Sequence, residues 1–224
     1  MVFWAEVAAN DGPRLWDVLY GGSALNLCIW IGLLLTSFLV ICFAVDAGLY
    51  LRREHFLPGR FLDGVGHSLS RGDLTEAVYL CRAEGAPIAR ILDNAFCNAR
   101  DGYESVERLA ENLLAQEGER VMQRVNRLNV CGQLGPMLGL MGTVVGMVMA
   151  FSTLANAAAD EKSRLLAQSI STALWTTCAG LVIAVPALLL YSYMKNCASE
   201  RLLEMEQRVD QFIKIFRGSR VVSE

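Results

Sequence analysis

Residues 128–159 read LNVCGQLGPMLGLMGTVVGMVMAFSTLANAAA and contain no Asp, Glu, Lys or Arg over 32 positions. Because about 20 apolar residues cross the hydrocarbon core of a bilayer, this stretch predicts a membrane-spanning helix. Two further charge-free stretches, 18–45 and 165–194, contain 28 and 30 residues. Together the three stretches predict an all-α integral membrane protein with three transmembrane helices and long helical cytoplasmic extensions.

The composition excludes several other classes of protein. The 224 residues are 54% hydrophobic and 19% charged, with a formal net charge of -3. This content is too apolar for a disordered chain or an ordinary soluble domain, and it lacks the basic footprint of a nucleic-acid-binding protein. His55 and His67 have no Cys or His at the spacing of metal ligands. The sequence also shows no pattern that pairs a catalytic nucleophile with a general base. We therefore expect no catalytic residue, metal, cofactor or nucleic-acid partner, and no enzyme activity.

The basic residues are distributed unevenly around the three stretches. Basic residues follow the first stretch, precede the second and follow the third. In that order they are Arg52, Arg53 and Arg60, then Arg120, Arg124 and Arg127, then Lys195, Arg201 and Arg208. The segment 1–17 and the short link 160–164 have no such excess. Because positively charged loops remain in the cytoplasm, the pattern predicts a multi-pass protein of the bacterial inner membrane with a periplasmic N-terminus and a cytoplasmic C-terminus.

This topology divides the chain into segments on the two sides of the membrane. They are a periplasmic segment 1–17, transmembrane helices 18–45, 128–159 and 165–194, a cytoplasmic helical domain 46–127, a periplasmic loop 160–164 and a cytoplasmic C-terminal helix 195–224. In the cytoplasmic domain, Asp73 and Glu76 resemble a capping box that opens a helix at 74–83. Pro87 suits the first turn of a helix over 88–99.

Two amphipathic segments extend the membrane spans into the cytoplasm. Apolar residues recur from Tyr103 at steps of three and four without a stop signal, so we expect one helix over 103–154, roughly 75 Å long. After the third span, a similar stripe comprises Leu202, Met205, Val209, Phe212 and Phe216. Such a stripe requires an apolar partner, which leaves two interpretations open: packing against other helices, or a tail lying on the membrane surface.

Small residues occupy one face of the second and the third span. On the second span this face comprises Gly135, Gly139, Gly142 and Gly146. The third span has a small stripe of Ala173, Thr177, Gly180 and Ala184 beside a polar stripe of Ser169, Thr172 and Thr176. Since small faces let helix backbones approach closely in lipid, we expect the two spans to pack together. Pro186 leaves the carbonyl of Val182 without its usual donor, and we count it among the packing residues.

The threonines in these spans have a purely structural interpretation. A threonine hydroxyl in a helix commonly bonds to the carbonyl four residues back, which satisfies it locally. On the residues alone, Thr143 and Thr177 would be assigned to that role.

A resemblance to a known family changes this interpretation. The residues LGLMGTVVGM at 138–147, followed by TALWTTCAGLVIAVPAL at 172–188, resemble the ExbB/TolQ/MotA family of ion channels. The length and the three spans are similar to the ExbB and TolQ branch rather than to MotA, which has an additional span. The resemblance implies a pentameric ring that encloses single-span helices of an ExbD- or TolR-like partner, whose membrane aspartate takes up and releases protons. Thr143 and Thr177 match the family's ion-pathway threonines.

One departure from the family concerns the acid that titrates. ExbB and TolQ often have a glutamate where this chain has Thr172, and the three charge-free stretches contain no carboxylate. The resemblance then implies that the acid comes from the partner alone. We also predict that Thr172, Thr176 and Ser169 line the ion path. Their hydroxyls could coordinate either ion, so the residues leave open whether protons or sodium ions are carried, and the resemblance favours protons.

The resemblance implies an inner-membrane motor that converts an ion gradient into mechanical work. Its expected partners also include a TonB- or TolA-like protein and membrane lipid. The alternatives are a non-conducting structural scaffold and a subunit similar to a flagellar stator.

Overall fold

The computed structural model describes residues 24–52, 56–98, 102–156 and 162–221, and these residues form six helices without a strand. The helices are α1 (Ala24–Tyr50), α2 (Gly59–Ser70), α3 (Leu74–Ala83), α4 (Pro87–Cys97), α5 (Tyr103–Asn156) and α6 (Lys162–Val221). The predicted all-α class is confirmed. The predicted segment 1–17 lies outside the described residues, as do residues 160 and 161 of the predicted loop.

Three of the helices, α1, α5 and α6, are long and apolar enough to cross a membrane. The regions concerned are Leu25–Tyr50, Tyr103–Ser152 and Lys162–Gly218, which agrees with the three predicted spans. Helix α6 begins at Lys162, so the last residues of the predicted loop 160–164 are helical instead. No Gly or Pro lies between Lys162 and the apolar run, so the residues that precede the apolar run can be helical as well.

The described residues form two compact units. The span unit contains the described parts of 1–42 and 128–189, and the domain unit contains those of 43–127 and 190–224. Helices α5 and α6 contribute residues to both units, since each continues from its apolar run into a charged extension.

Local sequence signals account for the short helices of the domain unit. The Asp73 carboxylate accepts hydrogen bonds from the backbone amides of Thr75 (3.1 Å) and Glu76 (3.0 Å), which confirms the predicted cap of α3. Pro87 lies in the first turn of α4, where its missing amide costs no hydrogen bond. Gly72 has a φ of 77°, a left-handed conformation that lets the chain turn between α2 and α3.

The apolar stripe of the C-terminal helix has its partner within the same chain. Met205, Val209 and Phe216 are 0%, 1% and 0% exposed and belong to one cluster with buried residues of α2, α3, α4 and the first part of α5. The rings of Phe96 and Phe216 lie 5.8 Å apart. The stripe is therefore the core-facing side of α6, and the alternative of a tail lying on the membrane surface is wrong for these residues.

A buried carboxylate links three helices of the domain unit. Glu117 on α5 is 4% exposed and accepts a 2.9 Å hydrogen bond from the Tyr50 hydroxyl at the end of α1. The guanidinium groups of Arg90 on α4 and Arg120 on α5 lie 3.4 and 3.2 Å from its two carboxylate oxygens. A buried charge is tolerated only when it is paired and hydrogen-bonded, and these three donors meet that requirement.

Replacing Glu117 by alanine should destabilise the domain unit by about 2 kcal/mol, because the Tyr50 hydroxyl loses its acceptor in a half-buried position. The two arginines contribute less, since both are largely exposed. Glu119→Ala is the matched control, because Glu119 is exposed and bonds only to Gln123 among the described residues. Denaturant unfolding in detergent measures both changes. Equal stabilities for the two variants would contradict the proposed linking role.

Candidate functional site

The contact between α5 and α6 in the span unit depends on glycine. A Cβ atom placed on Gly135 would lie 2.7 Å from the Gly180 carbonyl oxygen, and one on Gly139 would lie 2.8 Å from the Thr177 Cα. A Cβ on Gly146 would lie 2.6 Å from the Ala173 Cβ. An added Cβ atom at any of these positions would force the neighbouring helix to shift, because non-bonded atoms do not approach so closely in a packed interior. The glycine face of the second span thus lies directly against the third span.

The α6 side of this contact differs in part from the predicted stripes. Its buried members recur at steps of three and four: Ala173, Thr176, Gly180, Ala184 and Ala187. Thr176, predicted as a pore-lining residue, is 1% exposed and faces Gly142 instead. Pro186, predicted as a packing residue, is exposed, because the helical period places Ala184 and Ala187 on the contact face and Pro186 beside it.

The threonine hydroxyls are satisfied in two different ways. Thr143 donates to the Leu140 carbonyl at 2.7 Å, which lies within its own helix. Thr177 donates to the Gly139 carbonyl at 2.9 Å, which lies across the helix contact. The expectation of a bond within the same helix is therefore wrong for Thr177, whose hydroxyl instead joins the two spans.

The Gly139 carbonyl connects the two threonines of the predicted ion pathway. In an α-helix the amide of residue i donates to the carbonyl of residue i−4, so the Thr143 amide shares this acceptor with the Thr177 hydroxyl. The absence of a side chain at Gly139 lets the two helices come close enough for the second bond. Thr143 and Thr177 are both half-buried, and both use their hydroxyl proton on a backbone carbonyl.

This arrangement determines what the two hydroxyls offer to a bound group. A hydroxyl has one proton to donate and two lone pairs, so once the proton is used it presents acceptor sites. Both threonines are therefore suited to accept a hydrogen bond from water or from a protonated carboxyl group, or to contact a cation. Aliphatic hydroxyls do not titrate near neutral pH, so the pair cannot itself bind and release a proton.

The other predicted lining residues lie on α6 before Thr176. Thr172 is half-buried and donates to the Gln168 carbonyl at 2.9 Å, within its own helix. Ser169 is half-buried about one turn earlier. Neither position shares the Gly139 carbonyl in the described hydrogen bonds, so the structure groups Thr177 with Thr143 and leaves Thr172 apart.

Two features of the span unit were not predicted from the sequence. The Gly139 carbonyl was overlooked as an acceptor because only the missing side chain of that residue was considered. A glycine opposite a threonine on a neighbouring span is a signal that could have indicated it. Asn26 and Thr36 on α1 are also buried, at 9% and 5% exposed, and Thr36 donates to the Gly32 carbonyl at 2.8 Å.

Comparison with known proteins agrees with the resemblance that the span residues suggested. The model of the MotA/TolQ/ExbB proton channel family matches residues 83–207, which is more than half of the chain and includes both threonines. A biopolymer transport protein ExbB homolog of Methanothermobacter thermautotrophicus is 27% identical over 158 residues, which cover 70% of this chain and 56% of that protein.

Two bacterial relatives extend this comparison. The biopolymer transport protein ExbB of Pseudomonas putida is 30% identical over 53% of this chain and 39% of its own length. The Tol-Pal system protein TolQ of Haemophilus influenzae is 35% identical over 45% of this chain and 42% of its own length. The chain thus spans about half or less of the length of these relatives.

The names and the fold lead to one assignment. The relatives are named as transport and Tol-Pal system proteins, and the matched model is that of a proton channel family. The three candidate spans and these relatives together indicate a multi-pass inner-membrane protein of the ExbB/TolQ branch. The chain belongs to the MotA/TolQ/ExbB proton channel family.

Proposed function

We propose that this chain is the ring subunit of an inner-membrane, proton-driven motor. In this proposal a homopentamer encloses an ExbD- or TolR-like single-span partner that carries a membrane aspartate. A TonB- or TolA-like protein receives the mechanical work for transport or for another envelope process. The N-terminus is periplasmic and the C-terminus cytoplasmic. The observation that carries the proposal is the pair of threonines in spans that have no charge: the Thr177 hydroxyl donates to the Gly139 carbonyl of the neighbouring helix, and the Thr143 hydroxyl donates to the Leu140 carbonyl one residue further along that helix.

The hydrogen-bond arrangement supports a preference for one protonation state of the partner's acid. A protonated carboxyl group donates a hydrogen bond, whereas a carboxylate only accepts. Because both threonines present acceptor sites, they match the protonated form. To donate to a carboxylate, a hydroxyl would have to give up its bond to a carbonyl in exchange for a bond to the charged acceptor. The pair therefore accepts from the acid while the acid is protonated, and it must change its hydrogen bonds when the acid loses its proton.

The absence of an acid in the charge-free stretches implies that this chain conducts protons poorly without its partner. We expect proton flux in proteoliposomes that contain both proteins and little flux with this chain alone. A partner whose membrane aspartate is replaced by asparagine is the control, and it should behave like the chain alone. Robust flux through the chain without a partner would contradict the proposal.

A structural scaffold is the second candidate function, and one observation favours it. The bond from Thr177 to Gly139 stabilises the packing of two helices, whether or not ions pass beside it. The scaffold would give no flux with any single-span partner. The same proteoliposome measurement therefore separates the two candidates.

A further inference from the structure

Four cationic side chains of the domain unit lie over aromatic rings, and three of them are close in sequence to the ends of the charge-free stretches. The guanidinium carbon of Arg124 is 4.0 Å from the centre of the Tyr50 ring, and that of Arg127 is 5.8 Å from the Phe43 ring. The Lys195 ammonium is 5.9 Å from the Tyr191 ring. We call Arg124, Arg127 and Lys195 the cationic cluster. Such contacts hold a cation in place by the negative face of the ring.

The three cations lie at one level of the domain unit. Gly118 on α5 faces Leu202 on α6, where a Cβ would be 3.8 Å from the Leu202 side chain. The cavity between these helices is lined by Glu107, Leu114 and Gly118 of α5 and by Leu202, Glu206 and Ile213 of α6. The two helices run antiparallel, since Gly135 of α5 faces Gly180 of α6 whereas Gly146, later on α5, faces Ala173, earlier on α6. Lys195 lies seven residues before Leu202 on α6, and because the helices are antiparallel it is level with the residue seven positions after Gly118 on α5. Lys195 is therefore level with residues 124 and 125.

This level coincides with the ends of the apolar spans. Arg127 immediately precedes the charge-free stretch 128–159, and Lys195 immediately follows the stretch 165–194. A Cβ on Gly48 of α1 would lie 3.6 Å from the Met194 Cε, which places the end of the first span there as well. Cations that border apolar spans lie at the depth of the phospholipid headgroups.

The charges of the cationic cluster are not neutralised within the described part of the chain. Arg90 and Arg120 pair with Glu117, whereas Arg124, Arg127 and Lys195 form no salt bridge to a described carboxylate. An aromatic ring covers one face of a guanidinium group but leaves the N–H groups at its edge available. Arg127 and Lys195 are exposed and Arg124 is half-buried.

From these observations we propose that the cationic cluster binds the anionic headgroups of membrane phospholipids. Phosphate oxygens accept hydrogen bonds from guanidinium and ammonium groups, and a lipid supplies such oxygens at the depth where the cluster lies. The aromatic rings hold the side chains in place, which reduces the entropy lost when a headgroup binds. The expected ligand is phosphatidylglycerol or another lipid with net negative charge rather than a zwitterionic lipid.

Native mass spectrometry of the full chain, titrated with phosphatidylglycerol and with phosphatidylcholine of the same acyl chains, tests this proposal. The wild-type chain should retain phosphatidylglycerol in preference. Each neutralisation, Arg124→Gln, Arg127→Gln or Lys195→Gln, should weaken that preference by about fivefold, the equivalent of about 1 kcal/mol per basic residue. The triple variant should lose it. The matched control, Arg71→Gln/Arg108→Gln/Arg208→Gln, removes three exposed charges of the domain unit outside the cluster and should keep it.

A charge-preserving variant and a soluble competitor test whether charge and membrane lipid are both required. Arg124→Lys/Arg127→Lys keeps the charge and should keep most of the preference for phosphatidylglycerol. If the triple variant does not fold, the single variants still decide the outcome. Equal retention of both lipids by the wild-type chain would overturn the proposal. An unchanged preference in every cluster variant would overturn it too, as would displacement of phosphatidylglycerol by an equal concentration of soluble glycerol phosphate.

Discussion

Replacing Thr143 and Thr177 together by valine is expected to reduce partner-dependent proton flux by about 10- to 30-fold while the chain stays folded. Valine keeps the branched shape of threonine and removes the hydroxyl, so the acceptor sites beside the Leu140 and Gly139 carbonyls disappear. The variant loses two hydrogen bonds that the hydroxyls would accept from the partner's acid or from water. At about 1 kcal/mol for each bond, their loss corresponds to the expected decrease in flux. Flux in proteoliposomes with the single-span partner, together with the elution volume in detergent, measures function and assembly separately.

Two control variants make this experiment specific. Thr143→Ser/Thr177→Ser retains both hydroxyls and should retain most of the flux. Thr172→Val should have a smaller effect, because the Thr172 hydroxyl bonds to Gln168 in its own helix and does not reach the Gly139 carbonyl in the described bonds. Full flux in the double valine variant would mean that the two threonines serve helix packing alone.

Replacing Gly139 by alanine should destabilise the helix contact by about 2 kcal/mol. The added Cβ would lie 2.8 Å from the Thr177 Cα and 3.1 Å from the Thr176 carbonyl oxygen. Backbone atoms cannot rotate away as the end of a side chain can, so the helices must separate and the Thr177 bond is lost. Such overpacking costs about 1 to 3 kcal/mol, and the better helix propensity of alanine offsets part of it.

The matched controls are glycines of the same chain that have more space. In the span unit, a Cβ on Gly32 would lie 3.5 Å from the end of the Leu138 side chain, and in the domain unit one on Gly118 would lie 3.8 Å from Leu202. Gly32→Ala and Gly118→Ala should therefore leave stability unchanged or slightly higher. Thermal unfolding in detergent, followed by circular dichroism, compares the three variants. A Gly139→Ala protein as stable as the controls would show that the contact adapts without cost.

The spans and the short helices could be predicted because their signals are local. A charge-free stretch such as 128–159 identifies a span by its length alone, and Asp73 marks the start of α3 by a bond to residues two and three positions away. The packing of α5 against α6 was also predictable, since glycine has few other uses on one face of a span. These inferences need no knowledge of how distant segments align.

The features that could not be predicted depend on the alignment of distant segments. The Thr177 bond joins residues 38 positions apart, and the Tyr50 bond to Glu117 joins residues 67 apart. Thr176 was grouped with Ser169 and Thr172 because all three are polar, yet the register of the two helices places it against Gly142. Residue type indicates that a face is small or polar, but only the relative rotation of two helices decides which member of the face is covered.

The charge-free character of the three spans has an electrical consequence. Moving one elementary charge across the membrane potential changes its energy by about 2.3 kcal/mol per 100 mV, and this term acts only on charges that lie within the field. The stretches 18–45, 128–159 and 165–194 carry no charged side chain, so voltage exerts no direct force on their side chains. In the proposed complex, a voltage-dependent rate would therefore report the travelling ion and the titrating acid of the proposed partner rather than the side chains of these stretches.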